Sequence, residues 1–254
     1  MNNEEDKPLS RNVWGPWATV GFGLVIGIVS LIVQALTLVI AGAIIFSHNP
    51  QLTVPDVAQE LYSSLGLYTA ISAILSAIIC TGLIVVIIKA RKGVPIQEYL
   101  GMRRTTLKPI LISVVAVVVL EIAVYAIDIR LGQIIDTRFL LDIYGTSVWP
   151  ALLWFAIVIC GPVFEEAFFR GFMYTGLINS RFGVTGTVAL TSLLWAALHI
   201  QYGVFELVVI FTAGILLGIM RYKTGSIWIP LLMHCLMNVL AMVGVATSIT
   251  GFLG

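Results

Sequence analysis

"LYTAISAILSAIICTGLIVVII", residues 67–88, runs for 22 residues without a formal charge. It is followed at once by "KARKGVPIQEYLGMRRTTLK", residues 89–108, with six lysines and arginines against one glutamate. A hydrocarbon core takes about 20 consecutive apolar residues as a helix, because a helix pairs its own backbone polar groups where no water can. The first stretch is therefore read as a membrane span and the second as a loop outside the bilayer. Working outward, residues 18–46, 109–127, 205–220 and 226–246 repeat the apolar pattern. Residues 148–200 supply two or three shorter helical pieces, interrupted at Gly161-Pro162, where proline should kink or restart the helix, and at Arg181-Phe182-Gly183. The expected fold is all-α: a polytopic transmembrane helical bundle of seven to eight helices with a basic loop after the second. Composition agrees, since 59% of the 254 residues are hydrophobic and 11% charged, against about 25% charged in soluble domains.

The loop 47–66 has no lysine or arginine, and Asp56 and Glu60 are its formal charges. The positive-inside rule then places residues 89–108 and the N-terminus in the cytoplasm, with Arg181, Arg221 and Lys223 in later cytoplasmic turns. The expectation is an integral protein of the cell (inner) membrane. The first ten residues, MNNEEDKPLS, are mixed in charge and the next apolar run is too long for a cleavable leader, so no signal peptide is expected. Within the basic loop, VPIQEYLGMRR suits a short helix in the headgroup region. Cys80, Cys160 and Cys235 lie in apolar text with no CxxC, which fits small buried hydrophobes better than a disulfide frame or metal site. A net charge of +1 without a basic-aromatic cluster excludes a nucleic-acid partner. The chain divides into 1–147, a tail and helices of open role; 148–246, which carries the polar motifs; and a short tail, 247–254.

Charge inside the bilayer marks candidate chemistry, because it costs at least about 2.5–3.5 kcal/mol at the centre of a span. The stretch "GPVFEEAFFRG", 161–171, holds three charges in apolar text. Glu166 and Arg170 are four apart and can pair on one face, whereas Glu165 points about 100° away and has no arginine at that spacing. With an antiparallel hairpin of 163–180 and 185–200 turning near residue 182, Glu165 lies 17 residues before the turn and His199 17 after it. Equal rise puts them level. His234 and Asn238 share a face of another helix. A desolvated glutamate beside a histidine can deprotonate water, and a histidine with an asparagine amide can donate to an oxyanion. The set reads as peptide-bond hydrolysis within the membrane. Glu121, Asp128, Glu206 and His48 fall outside it, the last two expected in solvent. A proton or ion transporter would use similar residues, but polar groups confined to one half and the lack of an internal repeat weigh against it.

Three motifs, Glu165-Glu166-Ala167-Phe168-Phe169-Arg170, Trp195 to His199, and His234-Cys235-Leu236-Met237-Asn238, resemble the EExxxR, FxxxH and HxxxN pattern of the CAAX-prenyl-protease and bacteriocin-processing family. These intramembrane proteases are relatives of the Ras-converting enzyme. The resemblance covers about residues 148–245, so that 148–246 would be the protease core; Trp195 stands where the family more often has phenylalanine, with little loss expected. It implies that Glu165 and His199 activate water, His234 and Asn238 form the oxyanion site, and Glu166 and Arg170 hold the motif's shape. The resemblance permits both a metal-free and a zinc-dependent protease, since Glu165, His199 and His234 would also make a zinc site with an open water position; the metal-free reading is favoured because a base and positioned donors suffice for acyl transfer. The implied partners are a membrane-associated peptide or protein substrate and the lipid bilayer. A catalytically silent immunity-type protein would share the fold but has no need of all four site residues.

Overall fold

A computed structural model describes residues 12–132 and 135–252, with side chains placed through residue 249. The charged stretch MNNEEDKPLS, on which the expectation about a leader rests, lies outside the described residues. Among those described there are ten helices and no strand. In chain order they are α1 (Pro16–His48), α2 (Val54–Ser63), α3 (Leu65–Arg91), α4 (Ile96–Leu100), α5 (Leu107–Leu131), α6 (Arg138–Gly145), α7 (Pro150–Leu177), α8 (Gly183–Ala197), α9 (Val204–Thr224) and α10 (Trp228–Phe252). Six of them, α1, α3, α5, α7, α9 and α10, are long and apolar enough to cross a bilayer. With the shorter apolar α8 they make the helical polytopic bundle that the apolar runs predict. The helix α10 continues through residues 247–252, which the sequence reading set apart as a tail.

Large apolar side chains remain exposed along α1 (Leu24, Ile28, Leu31, Val39) and α5 (Val115, Val119, Ile122). Such faces are stable only against lipid. The chain is an integral membrane protein. The core gathers where α3 and α7 meet α1, α9 and α10, around Ile84, Ile88, Phe169, Phe172 and Leu217. Small residues draw α8 and α9 together: a Cβ on Gly218 would stand 2.7 Å from Val188 Cγ1, the close approach that packs membrane helices without a hydrophobic driving force. The helix α8 thus packs closely on α9 as well as against α7, its partner in the expected hairpin.

Two features of α7 and α8 position the polar residues. At Gly161-Pro162, where a kink or restart is expected, α7 passes from a π-helical turn into a fresh α-helical segment that begins at Gly161. The turn Ala156–Cys160 widens to π-helix, with the Gly161 N–H bonded to the Ala156 carbonyl five residues back. In that register the missing N–H of Pro162 would have met the Ile157 carbonyl, and Asn238 Nδ2 on α10 donates to this oxygen at 2.8 Å. A second π-helical segment, Ala167–Met173, follows the two glutamates; such segments collect at functional sites. The helix α8 has 15 residues, about 22 Å at 1.5 Å per residue, so it ends short of a hydrocarbon core about 30 Å thick. His199 therefore lies beyond the helix, where the hairpin reading had it inside one.

The basic loop also departs from expectation. Its short helix α4 buries Tyr99 and Leu100 in the protein instead of resting in headgroups. Phe172 stacks on Tyr99 with centroids 6.0 Å apart, and Thr175 Oγ1 donates to the Tyr99 carbonyl at 2.8 Å. Arg221, expected in a cytoplasmic turn, is buried too: Nε donates to the Arg170 carbonyl at 2.9 Å and Nη2 reaches the Leu100 carbonyl at 3.5 Å. Gly101 permits this packing. Its φ of 71° is left-handed, and any Cβ there would overlap the Arg221 guanidinium. Its carbonyl accepts the Ile227 N–H at 2.8 Å, just before α10 begins. Gly101→Ala should destabilise the protein by about 1–3 kcal/mol through overpacking and backbone strain. The check is a lowered thermal-unfolding midpoint in detergent; an unchanged midpoint would show that the loop does not brace the bundle.

Candidate active site

The two adjacent glutamates have different surroundings. Glu166 is 1% exposed, as is Arg170, whose Nη1 donates to Glu166 Oε1 at 2.9 Å. Arg170 Nη2 also donates to the Gly214 carbonyl at 3.3 Å, which ties α7 to α9. The i, i+4 pairing expected from sequence is therefore present. The same Glu166 oxygen also meets His234 Nδ1 at 2.9 Å. An ionised carboxylate only accepts hydrogen bonds, so His234 Nδ1 carries the hydrogen. This ion pair thus orients the histidine of α10 as well as bracing α7.

Glu165 keeps 27% of its side chain exposed. Its carboxylate accepts a hydrogen bond from Trp195 Nε1 at 2.5 Å. His234 Nε2 lies 3.9 Å from the same oxygen, beyond hydrogen-bond range. His234 thus turns one ring nitrogen toward each glutamate. His199 uses Nδ1 on the Trp195 carbonyl at 2.8 Å, satisfying one of the open carbonyls at the C-terminus of α8. That leaves its Nε2 as the acceptor nitrogen. Its ring lies edge-to-face with Trp195 at 5.3 Å and stacks with Tyr202 at 6.2 Å. Burial, aided by the nearby charges of Glu165 and Glu206, pushes the Tyr202 phenol up to about 12, so it stands neutral beside His199.

Glu165, Glu166, Arg170 and His234 are joined by direct contacts. His199 connects to Glu165 through Trp195, with no hydrogen bond or ion pair between the two. Asn238 lies one turn beyond His234 and holds the Ile157 carbonyl. Of the residues left outside the site, Glu206 is half-buried rather than solvated and accepts the Asp136 N–H at 2.6 Å, while Asp128 accepts the Ile135 N–H at 2.9 Å. The sequence reading missed the Trp195 N–H, having treated this residue only as a large aromatic; its i, i+4 spacing to His199 was the visible signal.

The donor set offers a poor fit to zinc. Among the described residues no three His, Cys, Asp or Glu side chains come together at metal-holding distance. The Nδ1 contacts of His199 and His234 leave Nε2 as the nitrogen a metal would take, but 3.9 Å between Glu165 and His234 is wide for two ligands of one ion with bonds of about 2.0–2.2 Å in tetrahedral array.

Residues 147–240 match the model of the family described as type II CAAX prenyl endopeptidase Rce1-like. The matched segment holds α7 to most of α10, and so every residue of the cluster. The similarity to that family is confined to this segment. The family recognised from the three motifs is thus the one that matches. An uncharacterized 24.3 kDa protein of Escherichia coli is 35% identical over 81 residues, which cover 31% of this chain and 37% of that protein. The match to this relative therefore spans little more than a third of its length. No solved structure matches the chain.

Proposed function

We propose that this chain is an intramembrane endopeptidase that hydrolyses a peptide bond of a membrane-associated peptide or protein, with Glu165 as the base. One observation carries the reading: of two adjacent glutamates, one is closed off by Arg170 and His234 while the other keeps 27% of its side chain uncovered by protein. Glu165 takes the proton of the attacking water and gives it to the nitrogen of the leaving amine as the C–N bond breaks, while His199 Nε2 is assigned as a second hydrogen-bond acceptor for that water. His234 carries its Nδ1 hydrogen toward Glu166. It lies 2.9 Å from Glu166 and 3.9 Å from Glu165, and its Nε2 edge is assigned with Asn238 to the developing oxyanion. Asn238 supports the same region: one amide hydrogen fixes the Ile157 carbonyl and the other remains for substrate. Glu166 and Arg170 hold the frame. The basic loop side is taken as cytoplasmic in the cell membrane, by the positive-inside rule.

The test compares membrane peptides from cells carrying wild type and Glu165→Gln, followed by cleavage of the accumulated peptide by purified protein. A farnesylated CAAX peptide and a bacteriocin-type leader peptide serve as reference substrates. Identical peptide profiles, with no cleavage of either reference, would remove the protease reading and leave a silent immunity-type or transport role. Metal dependence has its own check. Because the donor set is a poor match to zinc, dialysis against a strong chelator should leave turnover unchanged. Activity lost on chelation and restored by stoichiometric zinc would establish a zinc-dependent form of the same protease using Glu165, His199 and His234.

A further inference from the structure

The contacts around Glu165 converge on one neutral side chain. Trp195 is buried in the last turn of α8. Its indole N–H makes the one hydrogen bond to the Glu165 carboxylate found among the described residues. Its backbone carbonyl receives His199 Nδ1. The Arg170 guanidinium carbon lies 4.6 Å from the ring centroid, a cation–π distance, and the His234 ring meets its edge at 5.1 Å. The residue therefore fixes Glu165 through its side chain and His199 through its backbone. It also lies against both partners of Glu166. Its place is prepared by α9, where a Cβ on Gly214 would come within 3.1 Å of Trp195 Cε3 and 2.9 Å of Ser192 Cβ.

We propose that Trp195 is a positioning residue for Glu165, its indole N–H holding one carboxylate oxygen so that the other faces the attacking water. The inference rests on the reading of Glu165 as the base. A hydrogen bond to a carboxylate is short and directional, whereas the other polar contact of Glu165, His234 Nε2 at 3.9 Å, lies beyond hydrogen-bond range. Phenylalanine at 195 would fill most of the same space and leave the carboxylate free to rotate. The functional element is therefore the N–H, as distinct from the bulk of the ring.

The bond itself is tested without any substrate. In protein carrying ¹⁵N-indole label in nanodiscs, the six tryptophans give indole cross-peaks, and the one missing from Trp195→Phe belongs to Trp195. That peak should lie downfield in wild type and move upfield in Glu165→Ala; a peak that does not respond to Glu165→Ala overturns the proposal. The consequence is read with a fluorogenic farnesylated CAAX peptide. Trp195→Phe should lower kcat about 10²-fold, the cost of a small misplacement of a reacting group, with KM unchanged. Benzothienylalanine at 195, which keeps the indole shape and lacks the N–H, should be as slow as phenylalanine. Wild-type rates with benzothienylalanine would mean that shape alone matters and would also overturn the proposal. If wild type leaves the peptide uncleaved, the protease reading is what fails, and the cross-peak still decides whether Trp195 holds Glu165.

Discussion

Glu165→Gln abolishes turnover, lowering it by at least about 10²–10⁴-fold, the range associated with loss of a positioned acid or base, while the protein stays in the membrane at its normal level. Glutamine has the size of glutamate, and its carbonyl oxygen can still accept the Trp195 N–H. The side chain is part-exposed and takes part in no ion pair shorter than 3.9 Å, so no buried partner is left uncompensated. The amide, however, is not a base. The measurement pairs quantitative immunoblotting of the membrane fraction with the cleavage rate of the accumulated peptide. Near wild-type turnover would move the base elsewhere, and a collapse in protein level would mean that Glu165 is a structural group.

Arg170→Met has the opposite signature. The guanidinium is buried and held by Glu166, the Gly214 carbonyl and the Trp195 ring. Methionine approximates its bulk but leaves the Glu166 carboxylate in the core with His234 as its remaining partner. Breaking a buried pair from one side costs about 3–5 kcal/mol, enough to exhaust much of a stability of about 5–15 kcal/mol. Membrane levels and the unfolding midpoint in detergent should both fall sharply. The double variant Glu166→Gln/Arg170→Met removes the stranded charge and should recover part of the stability. Its turnover should stay low, because His234 has lost the carboxylate that orients it. If Arg170→Met is as stable as wild type, or the double variant is the worse of the two, the buried pair is not what holds α7 to α9 and α10.

The pair of predictions separates what was legible in the sequence from what was not. The i, i+4 relation of Glu166 and Arg170, and the isolation of Glu165 from that pair, followed from 3.6 residues per turn and are present in the fold. The equal-depth argument for Glu165 and His199 rested on a helix geometry that the fold does not keep. It assumed regular α-helix from 163 to 180 and from 185 to 200, whereas α7 carries π-helical segments and α8 ends at Ala197. The result is that Trp195, one turn before His199, is the residue that meets Glu165.

Gly161-Pro162 shows the same limit. A missing N–H and a clash were readable from proline's chemistry, but whether the helix breaks or widens depends on who takes the freed carbonyl. That partner is Asn238, 81 positions away. The burial of Tyr99 was not legible for a related reason: the positive-inside count assigns a loop to one side of the bilayer but does not say which of its residues turn back into the protein.

By itself the sequence determined the membrane class, the spans and the identity of the polar groups, because backbone pairing in lipid and helical periodicity are local constraints. Tertiary structure alone decided which glutamate His234 is clamped to, which indole N–H holds Glu165, and where α8 stops. Those outcomes depend on the fit between α7, α8, α9 and α10, where a π-turn or a missing Cβ shifts a side chain from one partner to another.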